Sequence, residues 1–124
     1  MHSFAIVHLV SMVPAPGSTD GRLVFVRAAS RRRILRIAIN QRLAPSHRAA
    51  LLGHELQHAV EVAHAPSVVD QASFSDLYEQ IGYKASDRSE KACYETDAAR
   101  RVAQRVLTEW RLTDTFERAR SGGR

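Results

Sequence analysis

Hydrophobic positions alternate with polar ones over the first third of the chain and then switch to a helical period. Phe4–Val13 is an apolar run interrupted by His8, and Pro14, Ala15, Pro16 and Gly17 follow it as a turn. Leu23–Arg27 and Ile34–Asn40 are rich in Val, Ile and Phe. In the latter, Leu35, Ile37 and Ile39 make one side wholly apolar while Arg36 breaks the other, the pattern of a strand covered on one face. Ser30–Arg33 reads as a hairpin turn. The expectation is a small antiparallel sheet of about three strands.

Pro45 suits the first turn of a helix and Pro66 blocks its continuation, so the pattern predicts a helix from Pro45 to Ala63. A second helix is expected over Phe74–Ile81, ended by Gly82, then a loop over Tyr83–Ser89 and a third helix from Glu90 to Trp110. The fold class is therefore α+β, a single domain over residues 1–120, with 121–124 expected to be a disordered tail. At about 100° per residue, His54, His58, Leu51 and Glu61 fall on one side of the first helix. Ala49, Leu52, Leu56, Ala59, Val60 and Ala63 fall on the other, and that apolar side is expected to pack on the sheet.

Composition narrows the function classes only a little. A chain of 124 residues with 44% hydrophobic and 25% charged residues can bury one core. Its single cysteine, Cys93, excludes an internal disulfide and a cysteine-rich zinc knuckle. The net charge of +5 comes from arginine, 16 against 2 lysines, with one run at Arg31–Arg33 and another at Arg100, Arg101 and Arg105. No nucleic-acid motif accompanies these runs, so they read as solvated surface and nucleic acid is not expected as a partner. No apolar stretch is long enough to span a membrane. Phe4–Val13 lacks a basic leader, so no signal peptide is visible and the cytoplasm is favoured as the location.

The chemistry concentrates in His54-Glu55-Leu56-Gln57-His58. Residues i and i+4 share a helix face, so two imidazoles there can hold one zinc ion. A glutamate after the first histidine is placed to act as general base on a zinc-activated water. A catalytic zinc usually takes a third protein ligand, and two residues compete for that place. His64 lies ten residues after His54, the metzincin spacing, but Glu61 stands where that pattern needs a glycine to turn the chain back. Glu95 lies within the apolar face of the expected third helix, with Ala98, Ala99, Val102 and Val106. A carboxylate on a buried face calls for a cation. Asp97, on the opposite side, reads as an exposed partner of Arg101 and only a reserve ligand.

A His-Glu-x-x-His helix followed by a second helix that donates a glutamate resembles the gluzincins, the thermolysin-like metallopeptidases. The match is carried by His54, Glu55, His58 and Glu95. It departs at Ala99, where those enzymes place an aspartate, so the carboxylate that orients a zinc histidine must come from elsewhere, and Glu61 is the candidate. Gly53–Glu61 together with Tyr94–Ala99 also resembles a group of small, uncharacterised bacterial proteins classed as metallopeptidases, over about residues 20–110. These resemblances imply a zinc-dependent hydrolase cleaving peptide bonds in a peptide or protein substrate. Tyr83, Tyr94 and His64 are the candidates for stabilising the oxyanion, and an edge strand near the metal helix could take up an extended peptide. Two other readings stay open. One is a regulatory peptidase with a single protein target. The other is a non-catalytic or regulatory metal-binding module whose arginine-rich surface binds nucleic acid or an acidic partner protein.

Overall fold

Three nine-residue strands, β1 (Phe4–Met12), β2 (Gly21–Ala29) and β3 (Arg32–Asn40), build one sheet in the order β1-β3-β2. The structure is a computed structural model that describes residues 4–29, 32–86 and 93–121, with side chains for all of these except 4, 83–86, 93 and 94. β3 takes the centre because it has the most apolar surface to cover: Leu35 and Ile37 are fully buried, and Ala38 and Ile39 nearly so. β2 runs antiparallel to β3, but β1 runs parallel to it, so the sheet is mixed and not wholly antiparallel as the pattern suggested. Connection length explains the difference. Only residues 30 and 31 separate β2 from β3, which suits adjacent antiparallel strands, whereas residues 13–20 let the chain pass β3's place before β2 begins. Arg32 and Arg33, expected in the turn, belong to β3, and residues 30 and 31 lie outside the described residues.

Helix α1 spans Pro45–Ala63, the bounds the two prolines predict. It crosses the face of the sheet that carries Val7, Leu23, Phe25 and Leu35, and it contributes Ala59 and Val62 to the core. Its other side meets α3 (Asp97–Ser121): a Cβ added at Gly53 would stand 3.1 and 3.2 Å from methyls of Val106 and Val102. Covered on two sides, α1 buries Glu55 and His58, while Leu56 and Val60, expected against the sheet, are exposed.

Arg33 shows the same inversion. Its guanidinium, expected at the surface, is 3% exposed. It sits in phase with Leu35 and Ile37 and so points toward α1, where Nη1 donates to the carbonyls of Val62 (2.8 Å) and Ala65 (2.9 Å) and Nη2 to that of Ala63 (3.2 Å). A cation there answers both the unpaired carbonyls and the negative end of the helix dipole.

Helix α2 (Gln71–Ile81) begins three residues before the expected start because Asp70 caps it. The Asp70 carboxylate accepts from the Ser73 amide (2.8 Å) and the Ser73 hydroxyl accepts from the Asp70 amide (3.1 Å). The loop expected over Tyr83–Ser89 starts instead as a strand, β4 (Tyr83–Ser86), paired antiparallel with β5 (Cys93–Glu95), and residues 87–89 lie outside the described residues. The third helix was expected from Glu90. It starts at Asp97 because the Thr96 hydroxyl accepts from the Ala99 amide (3.2 Å) as a cap, and it runs on past Trp110 to Ser121; residues 90–92 and 122–124 lie outside the described residues. Among the described residues no helix is long and apolar enough to cross a membrane.

Candidate metal centre

His54 and His58 stand one turn apart on α1 with their rings 4.6 Å apart and nearly perpendicular. Glu95 reaches them from the end of β5, not from a helix face as expected. His54 Nε2 lies 2.7 and 2.8 Å from the two Glu95 oxygens, and His58 Nε2 lies 3.6 Å from Oε1. One donor atom from each of His54, His58 and Glu95 falls within 4.8 Å of the other two. The side chains of His54, Glu55, His58, Glu61 and Glu95 are only 5–17% exposed.

Each imidazole is also held from behind. His58 Nδ1 is 2.8 Å from Glu61 Oε1, and the Thr96 hydroxyl donates to Glu61 Oε2 (2.7 Å). Glu61 therefore supplies the orienting carboxylate that Ala99 cannot, and Thr96 links it to the cap of α3. With Nδ1 directed at Glu61, Nε2 is the nitrogen of His58 that faces the centre. His54 Nδ1 lies 3.1 Å from Glu55 Oε1, so the expected general base rests on the ring nitrogen opposite the one that faces Glu95. Tyr78 of α2 closes the back, its ring 5.3 Å from that of His58 and its hydroxyl donating to the His58 carbonyl (3.0 Å).

The electrostatics are those of a site short of positive charge. Burial by itself would lower both histidine pKa values, but hydrogen bonds and charge from Glu55 and Glu95 hold His54 up at about 9, and Glu61 and Glu95 do the same for His58. Burial would raise Glu95, yet the two histidines pull it down to about 2. A divalent cation entering the cluster would displace the imidazole protons and take over their charge-balancing role.

Two features fit a metal ion. His58 Nε2 is buried and has no hydrogen-bond partner among the described residues, a costly arrangement for a neutral core. Two donors each about 2.0–2.1 Å from a tetrahedral zinc stand roughly 3.4 Å apart, and the Glu95–histidine separations of 2.7 and 3.6 Å bracket that value.

The other sequence candidates are elsewhere. His64 is exposed at the C-cap of α1, about 9 Å along the helix from His58. Asp97 is exposed on the first turn of α3 and forms no ion pair with Arg101. The side chains of Tyr83 and Tyr94 lie outside the described residues. Sequence reasoning missed Thr96 and Tyr78. Thr96 followed by Asp97 is a legible cap signal, whereas nothing local marks Tyr78. No protein-family model, curated protein or solved structure matches this chain.

Proposed function

We propose that this protein is a zinc-dependent hydrolase of the metallopeptidase type, with His54, His58 and Glu95 as metal ligands. The observation that carries the reading is the meeting of these three side chains around a buried His58 nitrogen that has no hydrogen-bond partner among the described residues. The His-Glu-x-x-His order and the gluzincin resemblance support it.

Zinc held by His54, His58 and Glu95 would supply an acidified water and polarise a scissile carbonyl. Glu55 is the residue that would take up a proton beside it and release it to a leaving amine. Glu61 and Thr96 fix the ring of His58, and Tyr78 keeps bulk water from its back. β2 is an edge strand whose Gly21 lies against Leu51, one turn before His54. An extended peptide adding to that edge would run beside the site.

The contact between Glu55 and His54, and the slight exposure of the cluster, favour a second reading: a metal-binding module without catalysis. One experiment separates the two. The purified protein is assayed for metal content and for cleavage of a peptide library, as wild type and as Glu55→Gln. The hydrolase reading expects about one zinc per chain in both, with cleavage only in the wild type. Zinc with no cleavage in either would leave the module. Iron in place of zinc would redirect the reading to oxygen chemistry, since two histidines and a carboxylate also hold ferrous iron.

A further inference from the structure

We infer that the open face of the three-stranded sheet docks an acidic, aliphatic segment of a partner protein. α1 and the core occupy one face of the sheet, through Val7, Leu23, Phe25 and Leu35. Among the described residues nothing covers the other. Strand register lays out what that face presents. Arg27 pairs with Ile34, which pairs with Ile6; Val24 pairs with Arg36, which pairs with His8; Arg22 pairs with Ala38, which pairs with Val10. Arg32 stands one step further along the same side of β3.

Arg22, Arg27, Arg32 and Arg36 are all exposed, and none is in an ion pair among the described residues. The three strands contain no aspartate or glutamate at all. The nearest carboxylate along the chain, Asp20, is tied to the Asn40 amide at the sheet's end (3.0 Å). Neighbouring strands are about 4.8 Å apart and same-face residues about 6.7 Å apart along a strand, so the four guanidinium groups stand within about one or two Debye lengths of each other. A surface meant only for water would intersperse carboxylates to relieve that repulsion.

The aliphatic positions decide what kind of anion fits. Ile6 and Val10 are each 38% exposed on this face, and Val24 and Ile34 are half-buried between arginines. A duplex would set phosphates against these aliphatic rows. Single-stranded bases need aromatic platforms, and the one ring among the described side chains of this face is the imidazole of His8. A protein segment that carries both carboxylates and aliphatic side chains matches both halves of the pattern.

The test uses the full chain and a labelled amphipathic peptide of about 20 residues, leucine on one face and glutamate on the other. Fluorescence anisotropy should show saturable binding that weakens with salt. It should persist after chelation, because the face is separate from the histidine cluster. Arg27→Glu with Arg36→Glu should weaken it at least about tenfold, and the milder Arg27→Gln with Arg36→Gln by less, with unchanged thermal unfolding in both. Four results would overturn the proposal: no saturable binding, equal binding of a glutamine-for-glutamate peptide, indifference to the double substitutions, or tighter binding of an oligothymidylate or of phosphatidylserine vesicles than of the acidic peptide.

Discussion

Two buried polar regions sit at different heights on one helix, and they differ in how their valences are met. At the end of α1, the Arg33 guanidinium meets neutral carbonyl oxygens of Val62, Ala63 and Ala65. Nη1 and Nη2 find acceptors there, and a positive group lies where the helix dipole is negative. Two turns earlier, three carboxylates crowd two imidazoles, and one ring nitrogen makes no hydrogen bond among the described residues. In the first, the charge is met by carbonyls and by the helix dipole. In the second, carboxylates outnumber imidazoles, and a cation would restore the balance. Burial of polar groups alone would have flagged both; the excess of negative charge singles out the second.

That contrast can be broken at either end, and the largest effect is expected at the histidines. With zinc at about a thousand times its dissociation constant, the wild type should gain roughly 4 kcal/mol in unfolding free energy. His54→Ala and His58→Ala should gain almost nothing, by urea denaturation with and without zinc. A His58→Ala protein stabilised as much as the wild type would show that the metal binds somewhere else. At the other end, Arg33→Met should cost about 3 kcal/mol in the absence of metal, because several charge-assisted hydrogen bonds are lost and the carbonyls they served stay buried. The zinc affinity of its folded fraction should be unchanged. A melting curve identical to wild type would mean that water or another donor serves those carbonyls equally well.

Much of this was legible in the sequence, and the failures have physical causes. Proline punctuation gave α1 to the residue, and alternation gave all three strands to within a few residues. The helical wheel on α1 was right for Ala59, which joins the core, and failed for Leu56 and Val60, because the side carrying His58 is buried as well. Arg33 was hidden in a run of three arginines, although its phase with Leu35 and Ile37 marked it as inward-facing. Glu95 was chosen as a ligand for the wrong local reason. It is the last residue of β5, brought to the histidines by a hairpin that pairs strands of low hydrophobic periodicity, with Thr96 starting a helix after it.

A smaller effect sharpens the choice of third ligand. Glu95→Ala should weaken zinc binding roughly a hundredfold, about 2.7 kcal/mol, while His64→Ala should do nothing measurable by competition with a chelating dye. Glu95 supplies charge and reach, whereas His64 points to solvent beyond the end of α1. A larger loss on removing His64 would require the chain after Ala63 to fold back toward His58, a different structure from the one described.

The least of these effects tests what places Glu95. Gly82 follows α2, its amide donating to the Tyr78 carbonyl (2.9 Å), with φ −116° and ψ −172°. That backbone is extended, so any residue could adopt it, and the reason for glycine is space. A Cβ would stand 2.6 Å from the Glu95 carbonyl oxygen and 3.0 Å from that of Tyr78. Both obstacles are backbone, which cannot swing aside as a side chain can. Tyr83, the next residue, pairs with Glu95 across the hairpin, so relief must come from moving β5. Ligands need placement to about 0.5 Å, so Gly82→Ala should lower zinc affinity about tenfold, near 1.4 kcal/mol. The loss should be smaller than for Glu95→Ala, because the carboxylate is still present and can recover part of its reach by rotation. The circular dichroism spectrum should be unchanged, which separates displacement from unfolding. Zinc affinity equal to wild type in Gly82→Ala would show that the hairpin does not set the position of Glu95, and that the cap at Thr96 does so alone.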